Sequence, residues 1–347
     1  MAEYKRLFQR QPDFENNLLK LLKGGRPERA TLCEPFIAGQ KIDRFATIDR
    51  PGHSALDQLR MAVSAMENLG YDYASCCASS LAFSPIVADH RQTKSLNDAN
   101  SIFDWESFEK FNWPDMAAQD YSRLEQIAPY LPEGMKIMVV GPGGVLENVM
   151  ELVGYDNLCF MLFDEPELVK EVFDNVGSRL VEYYRNAASA DTVGVLVSND
   201  DWGFNTQSFL SPDMMREYVF PWHKKIVETI HAAGKPVILH SCGNFTKIID
   251  DVIDDMKYDA RHSYEDNIIP VEDAYESLNG RITVIGGMDV NFLTKKTPEE
   301  VEKRCRLMLE RTWERGGYAL GSGNSIASYI PDENYLAMIR AAHEFKG

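Results

Sequence analysis

Eight short apolar runs alternate with longer helical stretches along this 347-residue chain, and that alternation restricts the fold more than any other feature. The runs lie near 31–37 (TLCEPFI), 72–77 (DYASCC), 136–140 (KIMVV), 193–198 (VGVLVS), 236–240 (PVILH), 259–263 (DARHS), 282–286 (ITVIG) and 317–321 (GYALG). Their length and bounding turn residues read as strands. Helical spacing of apolar residues falls between most of them, at 14–23, 54–69, 166–190, 212–233, 245–256, 271–278, 298–315 and 332–345. Several of these have clear starts. Ser211-Pro212 and Thr297-Pro298-Glu299-Glu300 each place a hydroxyl cap before a first-turn proline. Strand–helix alternation implies parallel pairing with right-handed crossovers. The expected architecture is therefore α/β, a single (β/α)8 TIM barrel over 1–347, a fold that needs about 250 residues. The surplus fits one insertion after the second strand, at 78–134. This expected lid holds the aromatic stretch FDWESFEKFNW and a hairpin near His90-Arg91-Gln92-Thr93. An open doubly wound sheet is the weaker reading, because no G-x-G-x-x-G follows an early strand. Gly141-Pro142-Gly143-Gly144 does follow a strand, but Pro142 removes an amide that a phosphate cradle would use.

Charge narrows the partners. Lys plus Arg number 36 and Asp plus Glu 53, so the net charge is 36 − 53 = −17 with His neutral. Such a surface repels phosphate backbones and anionic lipid, which excludes nucleic acid and a membrane-surface role. No apolar run reaches the roughly 18 residues of a membrane span, and the charged N-terminus lacks a secretory h-region. The six cysteines are scattered along the chain, which suggests free thiols or metal ligands in a cytoplasmic setting.

In a barrel the chemistry sits at the C-terminal strand ends. The sharpest signal there is VILHSCG. His240 and Cys242 are two residues apart, so both side chains point to one face, and Gly243 lets the backbone turn away. Taken alone, H-x-C reads as a buried thiol and a hydrogen-bonded core histidine. At a strand end beside carboxylates, it reads as half a zinc site. Glu265, at the end of the next strand, is the expected third ligand, and His262, nearer the strand body, is a further ligand, a partner that supports the ligands from behind, or a substrate contact. In SNDDWGFNTQ, Asp201 or Asp200 is placed as general acid/base or substrate contact, the other capping a turn. Trp202 is a pocket wall or core. Glu34, Asp289, Ser322 and Asn324 complete the set of candidate substrate contacts, the last two in a Gly-rich turn whose amides suit an anion or carbonyl.

Segments LHSCGNFTKIIDDVIDD, DARHSYEDN, GRITVIGGMDV, GGYALGSGNSI and IPDENYLAMIRAAHEF resemble the C-terminal half of the uroporphyrinogen decarboxylase family, and the resemblance extends upstream through SNDDWGFNTQSFLSPDMMREYVFPWHKK. It implies a (β/α)8 barrel and one of two chemistries. The decarboxylase branch carries an N-terminal arginine-bearing motif that grips substrate carboxylates. The matching TLCEPFIAGQKIDR places Glu34 there instead. The other branch contains zinc-dependent methyltransferases that exchange methyl groups with a corrinoid protein, and His240 and Cys242 reproduce its H-x-C pair. A related barrel, cobalamin-independent methionine synthase, adds a Glu where Glu265 stands. Both add a final Cys where this chain has Ser322-Gly323-Asn324.

The resemblance thus implies Zn2+ at His240, Cys242 and Glu265, and a corrinoid (cobalamin) carried by a partner protein. The expected reaction moves a methyl group between that corrinoid and a small methoxy, methylamine or thiol compound. One thiolate with a carboxylate leaves a stronger Lewis acid than two thiolates, which favours an oxygen or nitrogen donor. Two alternatives stay open: decarboxylation of a tetrapyrrole, and a non-catalytic barrel that binds a corrinoid or small molecule. Monomer and homodimer are both compatible with the sequence.

Overall fold

The computed structural model describes residues 7–83 and 101–347. The hairpin expected near His90 lies outside the described residues. Seven parallel strands form one sheet in sequential order. They are β1 (Tyr73–Cys77), β2 (Lys136–Val140), β3 (Val193–Asn199), β4 (Val237–His240), β5 (Ala260–His262), β6 (Thr283–Ile285) and β7 (Tyr318–Ala319). Each coincides with one of the expected runs. Their side chains are buried along most of their length, as for a sheet covered on both faces.

The expected first strand at 31–37 is the exception. It forms a parallel bridge at Leu32↔Leu320 and another at Ile37↔Ile326, with Cys33 N–H donating to the Leu320 carbonyl at 2.8 Å. Among the described residues, no main-chain hydrogen bond joins 31–37 to β1. Pro35 has no N–H to offer, and the Glu34 N–H donates to the Tyr73 hydroxyl instead of a ladder carbonyl. The result is a curled seven-stranded sheet with an extra segment bridged to β7, rather than eight laddered strands.

Local signals place the helices. Ser54 caps Ala55–Leu69 with a reciprocal Asp57 contact, Ser211 caps the helix from Pro212, and Thr297 caps Pro298–Trp313 through Glu300. Helix Val145–Val153 was not among the expected helices. The described part of 78–134 connects β1 to β2 and is pinned at both ends. Arg123 Nε donates to the Ala78 carbonyl at 3.1 Å. Arg179, on helix Pro166–Ala188, donates to the Pro114 carbonyl at 3.0 Å with its guanidinium 5.1 Å from the Trp113 ring centroid.

Register decides what meets at the strand ends. Asn199 pairs with His240, and His240 with His262. The three C-terminal ends of β3, β4 and β5 therefore lie level, and the residues following them share one rim.

Candidate metal centre

Side-chain alternation on β4 and β5 turns His240 and His262 to the same face, and their Nδ1 atoms meet at 2.7 Å. His262 Nε2 faces the Ser322 carbonyl at 3.1 Å. A carbonyl only accepts, so that nitrogen carries a proton. Burial pushes the His262 pKa down to about 4 and that of His240 well below its usual range, so both rings are neutral. His262 Nδ1 must then accept, His240 Nδ1 must donate, and His240 Nε2 keeps a free lone pair. The tautomer needed by a metal ligand follows from this chain of contacts.

Two further donors converge on His240. Asp201, Cys242 and His240 each offer a ligand atom, and the three atoms lie within 4.8 Å of one another. The Cys242 N–H donates to Asp201 Oδ1 at 2.9 Å, which orients the carboxylate. Gly243, with φ +110°, lets the chain leave the site; a Cβ there would lie 2.7 Å from the Gly203 carbonyl. Burial, then the nearby Asp201 carboxylate, pushes the Cys242 thiol far above its usual range. A bound cation reverses that order and releases the proton. One imidazole nitrogen, one sulfur and one carboxylate oxygen are a donor set that fits zinc, whose ligands sit at about 2.0–2.3 Å and leave a fourth position open in catalytic sites.

Asn324 approaches the cluster from the Cys242 side. Its Nδ2 donates to Cys242 Sγ at 3.0 Å, where the resemblance would have placed a second thiol. Asn324 also borders a cavity of about 920 Å³ lined by Glu265, Asp266, Asp289, Phe292, Gly323 and Tyr329, among others. Glu265 is thus on the cavity wall instead of in the tight cluster. Burial, Asp289 and Asp201 raise its pKa.

The remaining expected site residues are placed elsewhere. Asp200 is fully buried, with Oδ2 accepting the Leu146 N–H at 3.0 Å and Oδ1 the Glu147 N–H at 2.9 Å. It also meets His223 Nε2 at 2.8 Å. It therefore fills the N-terminus of helix Val145–Val153, and a Cβ at Gly144 would lie 2.1 Å from it. The Gly-rich turn before that helix holds an internal carboxylate where a nucleotide loop would hold phosphate. Trp202 is core, stacked on Phe245 at 5.6 Å and against His223 at 4.9 Å. Asp289 caps the next helix through the Phe292 N–H and also accepts the Asp266 N–H. Ser322 is buried and donates both N–H and Oγ–H to Glu34, each at 2.8 Å. Glu34, equally buried, lies in the interior instead of on a pocket wall. Glu147 was missed by the sequence reading. Burial and the Asp200 and Asp201 carboxylates push its pKa up to about 8; its carboxylate accepts the Gly144 N–H at 2.9 Å, and with no side chain at Gly144 no capping-box pair marks it in the sequence.

Residues 99–345 match the sequence profile of the uroporphyrinogen decarboxylase (URO-D) family. The chain belongs to that family. It is similar to a methylated-thiol–coenzyme M methyltransferase of Methanosarcina mazei, 23% identical over 194 residues, covering 56% of this chain and 49% of the relative. It is also similar to a uroporphyrinogen decarboxylase of Methylococcus capsulatus, 25% identical over 190 residues, covering 53% and 51%. The matched stretch thus spans about half the length of these curated relatives. A solved methyltransferase structure from Methanosarcina mazei superposes with a TM-score of 0.75 at 18% identity, covering 97% of this chain and all of the other, and supports the parallel α/β fold. All six cysteines are free thiols. Among the described residues, no helix is long and apolar enough to cross a membrane.

Proposed function

We propose that this URO-D family protein is a zinc-dependent methyltransferase that moves a methyl group between a small methoxy, methylamine or thiol compound and the corrinoid of a partner protein. The observation that carries this reading is the convergence of Asp201, His240 and Cys242 at the level ends of β3 to β5. A zinc ion held there would supply Lewis acidity toward the substrate heteroatom. His262 would hold the His240 ring in its ligating tautomer. Asn324 would direct an amide N–H at the Cys242 sulfur and border the approach from the large cavity. Glu265, on the wall of that cavity with its pKa raised by burial, would exchange a proton with a leaving or entering heteroatom. The similarity to a methylated-thiol methyltransferase supports the same branch.

Decarboxylation of a tetrapyrrole finds support in the decarboxylase relatives. Against it, the lining of the large cavity sets Lys295 and Lys296 beside Glu265, Asp266 and Asp289 and contains no arginine, so it offers no net positive clamp for a polycarboxylate. The two readings separate in one experiment. Protein purified without chelator is assayed for metal by elemental analysis, and corrinoid methylation is followed by absorbance over a panel of methoxy, methylamine and thiol compounds. The expected result is close to one zinc per chain with methyl transfer from one class. Less than about a tenth of an equivalent of transition metal would sink the proposal.

A further inference from the structure

Arg261 occupies β5 between Ala260 and His262, so it points to the opposite sheet face from the metal centre. The residue is only 6% exposed, and among the described residues no carboxylate forms a salt bridge with it; Glu265, on the wall of the same cavity, feels its charge without touching it. The Arg261 Nε makes no hydrogen bond to the described residues. The guanidinium is instead held between two rings, 3.9 Å from the Phe245 centroid and 4.5 Å from that of Tyr264. It borders a cavity of about 420 Å³ whose walls include Ile249, Ile268, Ile269 and Leu278.

We propose that this cavity binds a small monocarboxylate with a short apolar chain. A buried charge with no counter-ion in contact is costly; Glu265 acts on it only at a distance, and the two aromatic faces stabilise the cation without neutralising it. The planar guanidinium matches a carboxylate in a two-pronged geometry. The isoleucine and leucine wall suits the chain behind it. One buried positive charge calls for one negative charge. Glu265 also lines the cavity and disfavours a doubly charged phosphate, and Arg281 at the rim is already paired with Asp250 and Asp254. The assignment is independent of the methyl-transfer reading.

The test titrates hexanoate into metal-stripped protein by calorimetry, so that carboxylate binding to zinc contributes nothing. The expected result is saturable binding with a dissociation constant near 1 mM, an affinity of about −4 kcal/mol. Arg261→Met should weaken it at least about tenfold, the loss expected for a charged hydrogen-bonding partner, and 1-hexanol should fail to replace hexanoate. Cys242→Ala protein should bind hexanoate as the wild type does. Should Arg261→Met not fold, methyl NMR of the wild type decides: hexanoate must shift the Ile249, Ile268 and Ile269 signals. The site is refuted by failure to saturate at about 20 mM, by equal binding of hexanol, or by methyl shifts confined to other residues.

Discussion

The Nδ1 atoms of His240 and His262 face one another at 2.7 Å, and only one of them carries the proton. The Ser322 carbonyl settles which, by engaging the far side of the His262 ring. Replacing His262 with Phe removes the acceptor that keeps His240 Nε2 free for metal. Zinc affinity, measured by competition with a chromogenic chelator, should fall about 10- to 100-fold. His262→Gln, which retains an acceptor, should lose less. Equal affinity in the Phe variant and the wild type would show that the ring contact does not orient the ligand.

Asn324 stands where a second thiol would complete the site, and it donates to the one thiol present. Asn324→Cys should therefore tighten zinc binding. Cobalt-substituted protein offers a direct reading, since thiolate-to-cobalt absorption grows with the number of sulfur ligands. A stronger near-ultraviolet band in the variant is expected. An unchanged band would place residue 324 outside the coordination sphere.

Asp200 and Asp201 are neighbours with opposite assignments. Asp200→Asn leaves the helix amides and His223 facing a weaker acceptor in a fully buried setting. Loss of about 3 kcal/mol in urea unfolding is expected, with zinc per folded chain unchanged. Asp201→Asn should do the reverse, keeping stability and losing metal. Exchange of these two outcomes would overturn the assignment.

Glu34 predicts a pH effect. Burial pushes its pKa up to about 8 from an ordinary 4.5, against the lowering effect of the two Ser322 hydrogen bonds. Between those values the folded chain keeps a proton that the unfolded chain releases. Stability attributable to this group is full below 4.5 and falls as pH rises to about 8, by up to about 1.4 kcal/mol per pH unit. Urea unfolding at several pH values within this window should show a flatter dependence for Glu34→Gln than for the wild type. Parallel slopes would mean that Glu34 is ionised in the fold.

Seven strands were legible because β2 to β4 are short β-branched runs buried on both faces, and because turn residues bound each one. The segment at 31–37 has the same apolar look, but Glu34 and Pro35 spoil its ladder, and a proline's missing donor matters only once a neighbour is known. His240 and Cys242 were legible through two-residue alternation at a strand end. The choice between Asp201 and Glu265 was not, since both follow strands and their directions depend on the Gly203 and Gly243 backbones crossing. Nor could sequence separate Asp200 from Asp201: the helix that absorbs Asp200 begins more than fifty positions earlier. Ser322 read as a substrate contact in a Gly-rich turn and is an interior link, because Glu34 lies far away in the chain and adjacent in space.

Between the Leu32 segment and β1, a tyrosine hydroxyl takes the place that a row of peptide contacts would occupy. Sheet spacing elsewhere is set by backbone geometry and is the same for any sequence. At this seam the contact rests on one phenol hydroxyl. Loss of that single oxygen would strand the Glu34 amide in a fully buried setting, so a joint between segments depends on one side-chain atom where other joints depend on the main chain.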